Sequence, residues 1–242
     1  MTDAKLQPPN PAPTVAPATE VAAPNPLGWT HTARFLTTAS QLHHLPASEL
    51  PEVAFVGRSN AGKSTAINTL AQQKRLAFAS KTPGRTQHIN VFALGPKDEP
   101  NALWADLPGY GYAAVERAAK LRWQKVMADY LELRRSLSGV VMMVDSRLGL
   151  TALDQQLLDF LAPRVRPGQV KLLVVLTKAD KLNRKEANAS LQQLSEALAP
   201  YASDEADIGV VLFSALKKQG VDDVAKAIHT WVHPQAAPAV NV

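Results

Sequence analysis

One stretch of the sequence has the residue types and spacing of a phosphate-binding loop. Residues 57–65 read Gly-Arg-Ser-Asn-Ala-Gly-Lys-Ser-Thr and fit the pattern G-x-x-x-x-G-K-[ST]. The apolar segment 53–56 precedes the loop as a predicted strand, and a predicted helix begins at Ser64. Backbone N–H groups in such a loop can surround phosphate oxygens, and the helix N-terminus adds partial positive charge. The pattern therefore predicts that residues 57–64 bind phosphate groups.

Two side chains of this loop are suited to chemistry on a bound nucleotide. Lys63 can reach the β- and γ-phosphates, and the Ser64 hydroxyl can hold Mg²⁺. The alternative is a chance match in a glycine turn. The predicted strand directly before the loop and the helix directly after it argue against that alternative.

A second loop with candidate chemistry is Asp106-Leu107-Pro108-Gly109, which follows the predicted strand 102–105. Ligands of α/β sheets bind at the carboxyl ends of the strands, where this loop would lie. Asp106 can order the water shell of Mg²⁺, and the N–H of Gly109 can contact a γ-phosphate. Alone, such a sequence is an ordinary turn, but its place after a phosphate-binding loop favours the functional interpretation.

A third loop, Thr177-Lys178-Ala179-Asp180, fits the pattern [NT]-K-x-D. The Asp180 carboxylate can accept hydrogen bonds from guanine N1–H and the 2-amino group, a donor pair that adenine lacks. The Lys178 stem can lie over the base. The alternative is that Asp180 is only a helix N-cap. A fourth loop, from Ser214 to Leu216, would support the base from the other side, with the Ala215 N–H near guanine O6.

The loop of residues 74–88 contains Thr86, which is a candidate for a second hydroxyl on Mg²⁺. It lies between a predicted helix and a predicted hairpin, where a mobile switch segment would be. An ordinary loop threonine is the alternative.

The elements that would position these loops alternate between strand and helix. Predicted strands cover 33–39, 53–56, 89–94, 102–105, 139–145, 171–176 and 208–213, and 89–105 is predicted to be an antiparallel hairpin. Predicted helices cover 64–73, 114–135, 151–163, 184–199 and 220–232. In the second helix, apolar residues at helical spacing are Leu121, Val126, Met127, Tyr130 and Leu133, and the last helix should turn Val221, Val224, Ile228 and Trp231 inward. This order predicts an α/β fold with a mixed, mostly parallel sheet and helices on both faces.

Both ends of the sequence differ in composition from this central part. Residues 1–28 are rich in Pro and Ala and are predicted to be a disordered tail, and residues 234–242 a flexible one. Residues 29–233 are predicted to form one domain.

The overall composition narrows the function classes. The chain has 242 residues, 46% of them hydrophobic, which is enough for a full core, and it has no cysteine for disulfides or thiolate metal sites. This agrees with a reducing cytoplasm. The formal net charge of +5 favours an anionic partner such as nucleic acid, although simple solubility is the alternative. No apolar run approaches the ~20 residues of a membrane span, so we predict no span.

In combination, these motifs resemble the EngB family, also called YihA or YsxC, of bacterial GTP-binding proteins within the TrmE–Era–EngA–YihA–Septin-like P-loop GTPases. The similarity extends over about residues 30–233. The residues that carry it are Ala33–Leu36, His44–Pro46, Thr82–Gln87 with Ile89 and Asn90, Asp106–Tyr112, and Thr177–Asp180. At position 177, where Asn is more usual in the [NT]-K-x-D pattern, the family has Thr, as this sequence does.

The resemblance implies a Ras-like fold, Mg²⁺ as cofactor, and GTP or GDP as ligand. It places the nucleotide contacts on Gly57, Arg58, Ser59, Asn60, Ala61, Gly62, Lys63, Ser64, Gly84, Arg85, Thr86, Gln87, His88, Asp106, Leu107, Pro108, Gly109, Thr177, Lys178, Ala179, Asp180, Phe213, Ser214 and Ala215. Mg²⁺ would be held by Ser64 and Thr86, and Lys63 and Thr86 would have the catalytic roles. It also implies a cytoplasmic, monomeric switch in assembly of the large ribosomal subunit, with rRNA and ribosomal proteins as partners, and a need for it in cell division and septation.

Hydrolysis is the point at which the sequence departs from Ras-like enzymes. These enzymes place a water-orienting Gln directly after the D-x-x-G glycine, and here that position is Tyr110. We therefore expect slow intrinsic turnover. Asn60 resembles the asparagine of GTPases that bind K⁺ against the phosphates, whereas the alternative is that it only forms hydrogen bonds within its own loop.

Two other functions remain open at this point. A nucleotide kinase is disfavoured by the guanine motif and by the lack of a lid or second substrate site. A division-site interaction protein that binds GTP without acting on ribosomes is not separable from a ribosome-assembly factor by sequence.

Overall fold

The computed structural model describes residues 25–78, 88–111 and 117–234. Most of the two predicted tails lies outside these ranges. So do four predicted site residues, Gly84, Arg85, Thr86 and Gln87.

Among the described residues, seven strands form one sheet in the order β1-β3-β4-β2-β5-β6-β7. The strands are β1 (Arg34–Ala39), β2 (Glu52–Gly57), β3 (Ile89–Leu94), β4 (Ala102–Asp106), β5 (Leu137–Asp145), β6 (Lys171–Thr177) and β7 (Ile208–Leu212). β3 is antiparallel to both β1 and β4, and the other pairs are parallel. The predicted mixed sheet, its hairpin and its edge strand β1 are confirmed.

In the described parts of the chain, six α-helices cover the two faces of the sheet. They are α1 (Pro26–Thr30), α2 (Lys63–Leu70), α3 (Arg117–Leu133), α4 (Ala152–Val165), α5 (Arg184–Leu198) and α6 (Val221–Val232). Buried residues of α2 and α6 pack into one core cluster, and those of α3, α4 and α5 into the cluster on the opposite face. The four residues of α6 expected to face inward, Val221, Val224, Ile228 and Trp231, are all buried. Helices therefore lie on both faces, as predicted.

Helix α1 corrects the predicted end of the N-terminal tail, which was placed at residue 28. Pro26 is the first residue of α1, a position at which proline loses no hydrogen bond because the first N–H groups of a helix have no partner within it. The Asn25 side chain accepts a hydrogen bond from Gly28 N at 2.8 Å. Leu27 packs against the core cluster that contains Trp104, so the ordered domain includes residues that the composition assigned to the tail.

One of the apolar residues at helical spacing in α3 does not lie on the buried face of the helix. Leu133 is 60% exposed, whereas Leu131 is buried. Leu133 is the last residue of α3, and the inner face there continues through Tyr130 to Arg134, which both bind the buried Glu52. The buried face thus continues four residues after Tyr130, at Arg134, rather than three residues after it, at Leu133.

The parallel strands bring the motif loops to one edge of the sheet. The strand register pairs Phe55 of β2 with Asp106 of β4, Gly57 with Met143 of β5, and Asp145 with Thr177 of β6. Because parallel strands end on the same side, the four loops identified in the sequence converge there.

Candidate nucleotide-binding site

The phosphate-binding loop joins β2 to α2 through a left-handed glycine. Gly62 has φ +94° and caps α2, where Ala66 N donates to its carbonyl at 2.9 Å. A Cβ at Gly57 would lie 2.8 Å from the Met143 carbonyl oxygen, so the close approach of the loop to β5 requires glycine. The predicted strand–loop–helix arrangement is therefore present.

Lys63 and Asp106 form a buried ion pair between the phosphate-binding loop and the end of β4. The side chains are 9% and 1% exposed. They come from the two motifs that the sequence assigned to phosphate and to the Mg²⁺ water shell, so both predicted roles converge on one point. The positive charge of Lys63 would face a phosphate, and the negative charge of Asp106 would face a divalent cation.

The backbone of the second motif is bonded to the first. Leu107 N donates to Phe55 O at 3.1 Å, and Ser59 N donates to Tyr110 O at 2.9 Å. A Cβ at Gly109 would lie 3.3 Å from Ser59 N. Gly109 therefore lies in close contact with the phosphate-binding loop.

Thr177 and Lys178 of the guanine motif also hold the phosphate-binding loop. The Thr177 hydroxyl donates to Ala61 O at 2.6 Å, and Lys178 Nζ donates to Asn60 O at 2.8 Å. Lys178 itself has φ +58°, which directs the chain away from β6. The threonine that replaces the more usual asparagine thus has a structural contact across the site.

The Asp180 carboxylate, which is predicted to contact guanine, is held in place by the fourth motif. Ser214 Oγ donates to Asp180 Oδ1 at 2.7 Å, and this hydrogen bond lowers the pKa of Asp180. Asp180 lies in a short 3₁₀ turn, and helix α5 is capped by Asn183, whose side chain accepts from Glu186 N. Asp180 is therefore not the N-cap of α5, and that alternative is removed.

The remaining predicted residues divide into buried and exposed ones. The side chains of Leu107 and Phe213 are in the core, where they fix the motif backbones. The Ser64 hydroxyl lies 3.5 Å from Phe78 O, His88 is exposed and Ala215 is partly buried.

Sequence reasoning missed Asp145, at the end of β5. Its carboxylate pairs with Lys178 and with Arg147, both at 2.7 Å. The hydrogen bonds from Arg147, followed by those from Lys178, hold the pKa of Asp145 far below its usual range. An aspartate that ends an otherwise apolar central strand was the available sequence signal.

Tyr110, the residue in the position of the missing glutamine, is buried. Its hydroxyl donates to Asp154 Oδ1 at 2.7 Å, and burial followed by the charge of Asp154 raises the pKa of Tyr110 strongly. A buried phenol that donates to a carboxylate cannot act as a general base near neutral pH. The expectation that this position supplies no base agrees with this geometry.

The fold and these motifs define a P-loop domain that binds guanine nucleotides. Residues 52–178 match a family described as the 50S ribosome-binding GTPase. A probable GTP-binding protein EngB from Acidovorax ebreus is 61% identical over 86% of this chain and 92% of its own length, and one from Burkholderia pseudomallei is 51% identical over 86% and 94%. The chain belongs to the EngB family of GTP-binding proteins.

Solved structures support the same fold. A crystal structure of a probable GTP-binding protein engB has a TM-score of 0.54 at 22% identity, over 76% of this chain and all of that one. The structure of Era with MgGDPNP and part of 16S ribosomal RNA has a TM-score of 0.59 at 24% identity, over 79% of this chain and 59% of that one. In the part of the chain that the structure describes, no helix could cross a membrane.

Proposed function

We propose that this protein is a slow, Mg²⁺-dependent GTPase that acts as a switch in assembly of the large ribosomal subunit. The observation that carries the proposal is the direct bonding of the Asp106–Gly109 loop to the phosphate-binding loop. A contact between Gly109 and a γ-phosphate would be felt at Ser59 through the Tyr110 carbonyl.

The described residues fit Mg²⁺ bound with a nucleotide. Among them, no cluster of three or more acidic or histidine side chains could hold a metal alone, which is typical of a cation that binds with phosphates. Ser64 would be a direct ligand, Asp106 would order the metal's water shell, and Thr86 is the proposed second hydroxyl. The bound cation would neutralise charge on the β- and γ-phosphates.

Slow turnover follows from the contacts of Tyr110. Its hydroxyl is occupied by Asp154, so this position supplies no group that orients the attacking water. Lys63 would stabilise charge on the phosphates, and additional acceleration would come from an ion or a partner. We propose K⁺ as that ion, because the exposed Asn60 side chain lies in the phosphate-binding loop, where its oxygen could hold a cation against the phosphates.

The ribosomal role rests on the family description and on the formal net charge of +5. Phosphate contacts with rRNA would release counterions, so binding should weaken steeply with salt. The cell division role, the monomeric state and the cytoplasmic location are proposed from the family resemblance alone.

Co-sedimentation with purified ribosomal subunits tests the proposal. We expect more protein to pellet with large subunits in a GTP analogue than in GDP at about 100 mM salt, and less in both at higher salt. Equal pelleting in both nucleotides at every salt concentration would refute the switch. Absence of pelleting would instead favour a division-site protein with no direct ribosomal role.

A further inference from the structure

A charged cavity lies behind the phosphate-binding loop, beside the start of α4. Its volume is about 200 Å³. The walls are loop residues 58–61, the end of β5, the turn 147–149, Asp154 and Lys178. Among the described residues, Lys63, Asp106 and Asp180 are not part of this wall. The cavity therefore extends from the phosphate-binding loop toward α4, and it shares residues 58–61 and Lys178 with the site described above.

Five charged side chains line this cavity: Arg58, Arg147, Lys178, Asp145 and Asp154. Both carboxylates have partners. Asp145 is paired with Arg147 and Lys178, and Asp154 accepts hydrogen bonds from the Tyr110 hydroxyl and from Thr151 N at 2.8 Å.

Arg58 differs from the other four. Within the described residues, its buried Nε atom has no hydrogen-bond partner and its guanidinium has no ion pair. A Cβ at Gly111 would lie 3.1 Å from Arg58 Nε, so the backbone of that glycine packs closely against the arginine. A buried donor without a partner is unfavourable, and a guanidinium matches the oxygens of phosphate or carboxylate in a bidentate geometry.

We propose that this cavity binds the phosphate or carboxylate group of a small anion, with Arg58 as its principal partner and Arg147 at the rim. Arg147 is half exposed, so it can turn toward the anion while Lys178 remains paired with Asp145. The lining has one more positive than negative charge, which an anion would neutralise. The site would be separate from the γ-phosphate position, because neither Lys63 nor Asp106 lines the cavity.

The test uses the full chain saturated with Mg²⁺ and a non-hydrolysable GTP analogue, so that added anions cannot occupy the nucleotide site. Inorganic phosphate and malonate are added separately, and the NMR resonance of the Arg58 Nε–H group is followed during each titration. This resonance is assigned by comparison with the variant Arg58→Lys. We expect a saturable shift, half complete below about 10 mM, with at least one of the two anions. Sodium chloride at matched ionic strength should give no saturable shift.

Two variants make the test specific. Arg58→Gln should weaken anion binding at least about tenfold, followed through the backbone resonances of residues 147–149. Leu148→Glu should have a similar effect, because Leu148 is 63% exposed at the cavity and a carboxylate there would compete for Arg58. Arg166→Gln is the matched control, since Arg166 donates to Pro200 O away from the cavity, and it should bind as the unaltered protein does.

Linear, non-saturable shifts with both anions would overturn the proposal, because they would indicate screening alone. Unchanged anion affinity in Leu148→Glu would also overturn it, and this variant gives the answer if Arg58→Gln does not fold. A saturable shift that is lost in both variants and kept in Arg166→Gln would support it.

Discussion

The Tyr110 hydroxyl donates a hydrogen bond to Asp154 Oδ1 at 2.7 Å, which joins the loop after β4 to the first turn of α4. Asp154 also completes the capping box of α4 through Thr151. The residue after Gly109 is thus fixed to a helix on the face of the sheet opposite α2. A shift of Gly109 on nucleotide exchange would either strain this hydrogen bond or move the start of α4.

Tyr110→Phe should leave single-turnover GTP hydrolysis within about threefold of the unaltered protein, because the hydroxyl contacts Asp154 rather than the site. The free energy of unfolding should fall by about 1–2 kcal/mol, since a buried acceptor loses a donor. Tyr201→Phe is the control, because its hydroxyl donates to Asp159 away from the nucleotide site. A loss of hydrolysis of about 100-fold in Tyr110→Phe alone would show that the hydroxyl has a catalytic role.

Asp180→Asn should change the base that the site selects. In the proposed base site the carboxylate would accept from the guanine N1–H and 2-amino groups, whereas an amide nitrogen would oppose that amino group and favour the 2-oxo group of xanthine. We expect GTP affinity to fall about 100-fold or more and affinity for xanthosine triphosphate to rise, measured by titration. Asp159→Asn is the control and should retain GTP selectivity, because Asp159 binds Tyr201. Equal binding of ATP and GTP by the unaltered protein would contradict the assignment of the base site.

Potassium should accelerate GTP hydrolysis in matched KCl and NaCl at constant ionic strength. The expected reason is a second cation against the phosphates, held by the Asn60 side-chain oxygen. Asn60 has φ +66°, so Asn60→Gly removes the side chain without backbone strain. This variant should abolish the difference between the salts while GDP binding is retained. Identical rates in the two salts would remove K⁺ from the mechanism and leave an activating partner as the explanation.

The contact between α1 and α6 should weaken in acid. The His229 and His233 rings are stacked 4.2 Å apart, and Trp29 of α1 lies against both. Burial, followed by the charge of His233, lowers the pKa of His229 below its ordinary value of 6.5. As the pH falls, the His229 imidazole of the unfolded chain therefore binds a proton before that of the folded protein does. His229 does not affect the free energy of unfolding above pH 6.5, and this free energy falls as the pH decreases through and below that value.

Chemical denaturation between pH 5 and 8, with Trp fluorescence as the readout, measures this effect. His229→Gln should have a shallower loss of stability in acid than the unaltered protein. His43→Gln is the control, since His43 is exposed outside this cluster, and it should leave the slope unchanged. The same slope in all three proteins would show that His229 does not contribute.

The sequence by itself determined the local parts of this protein. The Gly62-Lys63 pattern identified the loop that caps α2, and the hydrophobic alternation gave the order of strands and helices, because these features depend on neighbours along the chain. It could not determine where α1 begins, since Pro26 has the same composition as the tail before it but fits the first turn of a helix.

Only the tertiary structure decided how the motifs meet. The partners Lys63 and Asp106 are 43 positions apart, and Thr177 reaches the Ala61 carbonyl across 116. Tyr110 and Asp154 likewise meet only because β4, β2 and β5 are neighbours in the sheet, an order that no local pattern encodes. Strand order is fixed by packing over the whole core, so the contacts that would couple the nucleotide to the fold follow from the sheet rather than from the motifs.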